Sequence, residues 1–209
     1  MLRLVAKTSC LLGCFLAASY LLAQAEFSAD IVNLERANNN EAKIYFGKDK
    51  FRVEPTKNDT RGGGAAIVNM TTQTTTVLLD QQHMYMEVPA SGQMANRRTA
   101  YEFFRSGDVE DACADWLAQS YNKGGSCHKI GHETVNGRNT VKYEGTNAKG
   151  ETGTVWLDAK LRFPVKWQGK NGGGELRNIQ EGSQPASLFE VPADYKKFDM
   201  GGMMMQRPQ

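Results

Sequence analysis

Short segments in which apolar and polar residues alternate, separated by turn residues, constrain the fold of this chain most. A period of two places successive side chains on opposite faces of a strand, so each segment predicts a strand with one apolar face. Residues 42–46 alternate in this way, residues 47–50 favour a turn, and residues 51–54 return. Similar or β-branched segments recur at 65–70, 74–79, 84–88, 132–135, 138–144, 153–158, 162–168 and 175–180. Such strands are typical of an antiparallel sheet with one face in water.

Two other patterns add to this prediction. Asn136-Gly137 is a strong hairpin signal and favours a type I′ turn. Between residues 99 and 121 the apolar positions follow a helical period, with Asp108 expected to cap the start. The helical positions are Val109, Ala112, Cys113, Trp116, Leu117 and Ser120. A long sheet tends to curl, so we expect either a closed barrel or an open half-barrel with the helix across its mouth.

The first 25 residues are typical of a secretory signal peptide. Arg3 and Lys7 precede an apolar run from residue 10 to 23, and Ala23-Gln24-Ala25 fits a cleavage site before Glu26. The run is short for a membrane anchor. Residues 11–14 loosely resemble a lipoprotein box, but the apolar run continues beyond them. We therefore expect a periplasmic or secreted protein that is not an integral membrane protein.

Removal of the leader changes the charge and the cysteine count. The chain has 25 Lys and Arg against 23 Asp and Glu, and the leader holds two of the basic residues. The mature chain is therefore formally neutral, which argues against a nucleic-acid partner. Only Cys113 and Cys127 remain, and in an oxidising compartment they are expected to form a disulfide. We expect one domain over residues 26–198 and a flexible Met- and Gly-rich segment over 199–209.

Several segments together resemble the LolA/LolB-like superfamily of periplasmic proteins, which includes lipoprotein carriers. These segments are residues 27–32, 42–46, 51–54, 77–80, 84–87, 131–138, 156–158 and 188–195. The resemblance implies a mainly β protein built as an open antiparallel half-barrel with a helical lid, whose cavity binds acyl chains. Glycines at the sheet ends are more frequent here than in the carriers, and no functional residue is carried over. Residues 188–192 are expected to close one end of the sheet.

Motifs for catalysis are missing from the sequence, so we expect a protein that is not an enzyme and has no cofactor. There is no nucleophile elbow, zinc-protease helix, phosphate loop or C-x-x-C pair. Cys127, His128 and His132 have a spacing that suits zinc on a helix. On a strand, residues four apart lie far from each other. We therefore expect surface histidines and no metal site.

The predicted inner apolar face is the candidate ligand site. It consists of Ile44, Phe46, Phe51, Val53, Met84, Met86, Val88, Trp116, Phe163, Val165 and Trp167. The favoured function is binding of a hydrophobic small molecule, a lipid or a lipoprotein by a monomer. The first alternative is a protein-interaction or sensor module with a filled core.

Copper binding is the second alternative. Met200, Met203, Met204 and Met205 cluster near the end of the sequence, and Met84 and Met86 follow His83. Thioethers are soft ligands that select Cu(I). The same methionines could instead fold back onto the barrel mouth, because methionine adapts to irregular apolar surfaces.

Overall fold

The computed structural model describes residues 25–35, 40–56, 64–89, 108–118, 123–170 and 172–198. In these ranges the chain forms twelve strands, one α-helix and two short 3-10 helices at Asp80–Gln82 and Ala186–Phe189. The strands are β1 (Phe27–Asn33), β2 (Asn40–Phe46), β3 (Lys50–Pro55), β4 (Ala66–Asn69), β5 (Thr74–Leu79), β6 (Met84–Pro89), β7 (Ser126–Val135), β8 (Arg138–Thr146), β9 (Thr152–Asp158), β10 (Phe163–Gly169), β11 (Gly172–Glu181) and β12 (Lys196–Lys197), and the helix is α1 (Ala112–Ala118). The predicted mainly β class is confirmed.

All twelve strands belong to one sheet made of two meanders. Its order is β12-β6-β5-β4-β3-β2-β1-β11-β10-β9-β8-β7, so β1–β6 and β7–β11 each run in sequence and meet at the β1–β11 pair. Neighbouring strands are antiparallel except β12, which lies parallel to β6. β12 and β7 form the two edges of the sheet and are not paired with each other. The sheet is therefore open, and of the two predicted forms the half-barrel is confirmed.

The β7–β8 hairpin shows how local sequence sets the register. Asn136 and Gly137 have φ values of 49° and 78°, as a type I′ turn requires, and Val135 pairs with Arg138. The predicted turn is confirmed. β7 begins at Ser126 and not at His132, because pairing continues through an irregularity next to Gly131, whose φ is 146°. Only glycine adopts that conformation without strain.

Aromatic contacts show that the sheet curls. Phe46 on β2 and Phe163 on β10 are three strands apart, which is about 14 Å in a flat sheet. Their ring centroids are 5.1 Å apart, and Phe27 stacks on Phe46 at 5.4 Å. Phe27 and Phe46 are fully buried, and Phe51 joins them at 5.8 Å from Phe46. This aromatic group is the centre of the core.

The helix begins later than predicted. It begins at Ala112, and Asp108 belongs to a turn before it. The Asp108 carboxylate accepts the amide of Glu110 at 2.9 Å, and the Asp108 carbonyl accepts the amide of Asp111 at 3.1 Å. The local bonds thus close a turn that competes with an earlier helical start. Residues 99–107 and Ser120 lie outside the described residues, and within the described ranges no helix is long and apolar enough to cross a membrane.

Residues 182–198, which we call the strap, follow β11 and run to β6. The Gly182 amide donates to Glu26 O at 2.8 Å, and the Lys196 amide donates to His83 O at 2.9 Å. Between these points Phe189 packs on β2–β5. The expectation that residues 188–192 close one end of the sheet is wrong, since this segment crosses one face of it.

Candidate functional site

Two rows of side chains run across strands β1–β6 on one face, which we call the inner face. The strand register places directly paired residues on the same side of a sheet. The first row is Phe27, Phe46, Phe51, Val68, Thr75 and Val88, and the second row is Ala29, Ile44, Val53, Ala66, Val77 and Met86. Eleven of these twelve side chains are apolar. The rows form one continuous apolar strip from the centre of the sheet to its β6 side.

Burial falls along both rows. In the second row Ala29 and Ile44 are 1% and 2% exposed, whereas Val77 and Met86 are only half-buried. In the first row Phe27 is fully buried and Val88 is half-buried. The strip therefore begins as core and ends as partly exposed apolar surface on β4–β6. This surface is the candidate binding site.

The structure places most of the predicted ligand residues in or against one core cluster. The fully buried members are Ile44, Phe46, Phe51, Phe163 and Val165, and Val53 and Trp167 pack against them. Met84, Met86 and Val88 are half-buried and belong to none of the three clusters among the described residues. Trp116 lies in a separate cluster with the helix. The predicted set thus divides into core residues, residues at the exposed end of the rows, and one residue under the helix.

Sequence reasoning missed Ala66 and Val77. Ala66 pairs with Val53 and with Val77, and Val77 pairs with Met86, so both connect predicted residues on either side. Both lie in predicted strands. Alternation within each strand could have identified them, because each lies next to a residue that is buried on the outer face. Val77, for example, is next to Leu78.

α1 covers the inner face of the second meander. Val155 pairs with Trp167 and with Tyr143, and Trp167 pairs with Gly174 of β11. Leu176, two residues further along β11, pairs with Ile31, so the register carries the inner face from β1 to β8. The helix packs on Val141, Tyr143 and Leu157 of this face, with Val155 at its border. Trp116 lies against Gly145, where an added Cβ would come within 3.0 Å of its ring.

Several bonds hold the helix segment in place. Cys113 and Cys127 form a disulfide with a Cα–Cα distance of 5.4 Å, so the predicted pairing is confirmed. The Tyr143 hydroxyl donates to Val109 O at 2.9 Å and accepts the Ala112 amide at 3.3 Å. Burial raises the pKa of this tyrosine. The helix is therefore tied to β7 by a covalent bond and to β8 by hydrogen bonds.

Glu110 adds an ionic contact to the same segment. Its carboxylate contacts Lys129 Nζ at 2.5 Å and His132 Nε2 at 3.1 Å. Hydrogen bonds from Lys129 and then His132 lower the pKa of Glu110. Cys127 is used in the disulfide, and within the described ranges no group of three or more His, Cys, Asp or Glu side chains is placed to hold a metal ion. His132 thus has a partner within the fold.

The strap covers the opposite, outer face of the first meander. Ala65, Ile67 and Leu78 are 1–4% exposed under Phe189 and Val191. Arg52 donates to Leu188 O at 3.0 Å from the same face. The strap therefore buries these three outer-face side chains, whereas Ala66, Thr75 and Val77 on the inner face of the same strands are half-buried.

His83 and the two methionines after it lie at the end of the strap. His83 Nδ1 is 2.7 Å from Asp194 Oδ2, and its ring stacks on Tyr195 at 5.5 Å between centroids. The Tyr195 hydroxyl donates to Asp80 at 2.8 Å. Burial, followed by the hydrogen bond to Asp80, raises the pKa of Tyr195. Residues 200–205 lie outside the described residues.

Comparisons with known proteins give the fold. No family model and no curated protein sequence matches the chain. Among solved structures it is similar to an uncharacterised conserved protein from Thermus thermophilus, with a TM-score of 0.53, 11% identity, and 85% of this chain aligned with 91% of that one.

Two other solved structures are similar at a lower score. MucB gives a TM-score of 0.46 at 13% identity, over 83% of this chain and 61% of that one. A LolA superfamily protein from Nitrosomonas europaea gives a TM-score of 0.29 at 10% identity, over 80% and 89%. At these scores and identities neither structure carries a conclusion about this chain, and the resemblance to the LolA-like group stays a prediction.

Proposed function

We propose that the protein is an exported, non-catalytic binding protein of the cell envelope that holds an apolar ligand on the inner face of β4–β6. The ligand is the acyl chain of a lipid or of a lipidated protein. The observation that carries this proposal is the pair of apolar rows that leave the core and become half-exposed at Val77, Met86 and Val88. If this face only formed core, another segment would cover it, as the strap covers the outer face of the same strands.

The chemistry of the strip suits an acyl chain. Across β3–β6 the rows present mainly valine, alanine and methionine, with one threonine hydroxyl at Thr75. Burial of apolar surface contributes about 25 cal/mol per Å², so affinity grows with the length of chain in contact. The groups whose pKa is shifted, such as Glu110 and Tyr143, have partners that hold the helix segment. They serve the fold, and the proposed mechanism uses contact and no proton transfer.

Two observations support export. The predicted cleavage after Ala25 falls two residues before β1 starts at Phe27, so cleavage leaves the sheet intact. The Cys113–Cys127 disulfide suits an oxidising compartment. Processing is tested by the mass of the purified protein, which should begin at Glu26. A product retaining residues 1–25 would contradict this part of the proposal.

Native mass spectrometry followed by organic extraction tests the ligand. The matched variants are Val77→Lys on the inner face and Thr76→Lys on the outer face, next to each other on β5 and both half-buried. Thr76 pairs with Glu87, so the control lysine gains an opposite charge. We expect an acyl species to co-purify with the wild type and with Thr76→Lys, and to be lost from Val77→Lys. Equal retention by both variants, or no bound species in the wild type, contradicts the proposal.

A second candidate function is a protein-interaction module that uses β7. This strand is an edge of the sheet, and Ile130 is 56% exposed on it, next to the irregularity at Gly131. The other exposed positions of this strand are polar or charged, as edge strands usually are. Site-specific photo-cross-linking in the producing cell, from position 130 and from position 134 as control, tests it. One defined adduct from position 130 alone would favour this candidate over the acyl ligand.

Copper binding through methionine stays a third prediction. The same native mass spectrum tests it, because a bound copper ion adds a characteristic mass. A copper adduct that disappears when Met200, Met203, Met204 and Met205 are changed to serine would support it. An adduct that survives this change would exclude those thioethers as its ligands.

A further inference from the structure

The exposed apolar surface on β5 and β6 continues beyond the two rows. Leu79 lies two residues past Val77 on β5, and it pairs with Met84, which lies two residues before Met86 on β6. Residues two apart on a strand share a face, so Leu79 and Met84 form a third apolar pair on the inner face. Both are half-buried. The surface therefore reaches the last residue of β5 and the first residue of β6.

Lys196 lies at the border of this surface. β12 aligns Lys196 with Met84 in parallel, at a strand spacing of about 4.8 Å, and directly aligned residues share a face of the sheet. The two neighbours of Lys196 in sequence lie on the outer face, since Tyr195 packs with the outer-face cluster and Lys197 pairs with the Glu87 carboxylate. Both observations place the side chain of Lys196 on the inner face, next to Met84.

The charge of Lys196 is isolated on this face. Of the inner-face residues in strands β3–β6 and β12, all of which the structure describes, Lys196 alone is charged, and the others are apolar except Thr75. Lys196 is exposed, and its ammonium group has no hydrogen bond or ion pair to any residue in the described ranges. Lys197, on the outer face, has Glu87 as its partner. The inner face therefore presents one uncompensated positive charge beside an apolar surface.

We propose that Lys196 binds the carboxylate of a long-chain fatty acid whose chain lies on the half-exposed inner face of β4–β6. This inference rests on the proposed function and narrows its ligand to an acyl chain with a negative charge at one end. The apolar stem of a lysine lies along apolar surface while its ammonium group stays in water, so the charge is placed where such a chain would end. The acyl groups of lipidated proteins and of glycerolipids end in uncharged esters or amides, and a free fatty acid therefore suits Lys196 better.

The position of Lys196 also sets the direction of the chain. β12, β6, β5 and β4 are neighbours in that order, so Lys196 and Ala66 are three strand spacings apart, which is about 14 Å. Met86 and Val77 lie between them in the second row and are half-buried. Further along the same row Ile44 is 2% exposed, so the accessible surface ends before it. A carboxylate at Lys196 thus directs the acyl chain from the edge of the sheet toward the core.

Two probes of equal chain length test this inference in the mature full-length protein. Dodecanoate carries the carboxylate, dodecanol does not, and the affinity of each is measured by displacement of the apolar dye N-phenyl-1-naphthylamine. We expect Lys196→Gln to weaken binding of dodecanoate about fivefold, the upper end of what an exposed ion pair contributes, and to leave binding of dodecanol unchanged. The matched control, Lys197→Gln on the outer face, should change neither affinity.

Three results with these variants overturn the inference. Unchanged binding of dodecanoate to Lys196→Gln would show that the ammonium group does not contact the carboxylate. Equal weakening by Lys196→Gln and Lys197→Gln would show attraction by the overall charge, and equal weakening of both probes by Lys196→Gln would show damage to the apolar surface. If neither probe binds the wild type, the proposed function itself fails, and the inference fails with it.

A charge reversal gives a result that misfolding cannot produce. Lys196→Glu places a carboxylate at the same border, and dodecylamine is a cation with the same chain length. We expect this variant to bind dodecylamine about fivefold more tightly than the wild type does, by the same ion-pair contribution, and to bind dodecanoate more weakly. Absence of the gain in dodecylamine binding overturns the assignment of the ligand's charged end to Lys196.

Discussion

The segments that cover the two meanders lie on opposite faces of the sheet. In β7–β11 the inner face is covered by α1, which packs on Tyr143 and Leu157. In β1–β6 the outer face is covered by the strap, which packs on Ile67 and Leu78. The inner face of β1–β3 is buried as well, because Phe27 and Phe46 meet Phe163 of the curled second meander. At Val77, Met86 and Val88 the same rows lie beyond these contacts and are only half-buried, which is why we propose a ligand for them.

The two covers are also fastened differently. The helix segment is held by a disulfide and by two hydrogen bonds to the Tyr143 hydroxyl. The strap is held without a covalent link among the described residues, by side-chain packing, by hydrogen bonds such as those from Arg52 to Leu188 O and from the Lys196 amide to His83 O, and by exposed ion pairs such as His83 with Asp194. Exposed ion pairs contribute little each. We expect the helix to stay attached under conditions that release the strap, and substitutions at the disulfide and at Phe189 test this difference.

The largest effect is expected from the disulfide. Changing Cys113 and Cys127 to serine removes a link between residues 14 apart in sequence. In the chain-entropy model a loop of this size stabilises the fold by about 3 kcal/mol. The free energy of unfolding, from urea titration followed by tryptophan fluorescence, should fall by that amount. An unchanged urea midpoint would show that the disulfide adds nothing to the stability of the fold.

A single substitution in the strap should lower the free energy of unfolding by a smaller amount. Phe189 packs on Gly47, where an added Cβ would lie 3.1 Å from its ring, and on the outer-face cluster. Phe189→Ala should cost about 2 kcal/mol, since the ring is only partly buried. Ser187→Ala, an exposed neighbour, is the control. Faster hydrogen exchange at Lys196 and Phe198 than at Ala112 in the Phe189 variant would show that the strap opens while the helix stays attached.

Much of the fold could be predicted from the sequence because the sheet is built from hairpins. Alternation within residues 42–46 and 51–54 and the Asn136-Gly137 turn are local signals, and β2, β3 and the β7–β8 turn form as predicted. The Cys113–Cys127 pair followed from the cysteine count. Each of these depends on residues that are close in sequence or on a choice between few partners.

The path of the strap could not be predicted in the same way. Arg52 and Leu188 are bonded across 136 positions in sequence, and residues 182–198 have no strand or helix period that reports such a contact. The sequence also did not show which of the predicted ligand residues would be buried in the core and which would be partly exposed. Phe46 and Met86 both alternate correctly, but their burial differs because only Phe46 meets the curled second meander at Phe163.

Substitutions at two glycines compare how tightly the second meander is packed at its centre and under its helix. Gly174 lies under Trp167, where an added Cβ would be 2.5 Å from the ring, and Gly145 lies under Trp116, where the distance would be 3.0 Å. Overpacking of a core usually costs about 1–3 kcal/mol. Gly174→Ala should lower the free energy of unfolding by about 1.5 kcal/mol, and Gly145→Ala by less. The reverse order would mean that the ring of Trp116 is the more rigidly held of the two.

The smallest effect is expected at the end of β11, where Glu181 pairs with Phe27 of β1 at the junction of the two meanders. Arg138 of β8 donates to Asp158 of β9 and to Glu181, and Lys160 contacts the same glutamate at 2.5 Å. Hydrogen bonds from Lys160 and then Arg138 lower the pKa of Glu181 below its ordinary value of 4.5.

The sign of the pH dependence follows from this shift. A carboxylate with a lowered pKa in the folded state stabilises the fold above its unfolded pKa, and the stabilisation is lost as the pH falls through the folded pKa. Glu181→Gln should therefore destabilise by about 0.5 kcal/mol at pH 7, as a partly exposed ion pair does. The difference from wild type should shrink below about pH 4.5 in urea titrations, as the linkage requires. A difference that stays constant as the pH falls further would mean that Glu181 stabilises the junction through packing and not through its charge.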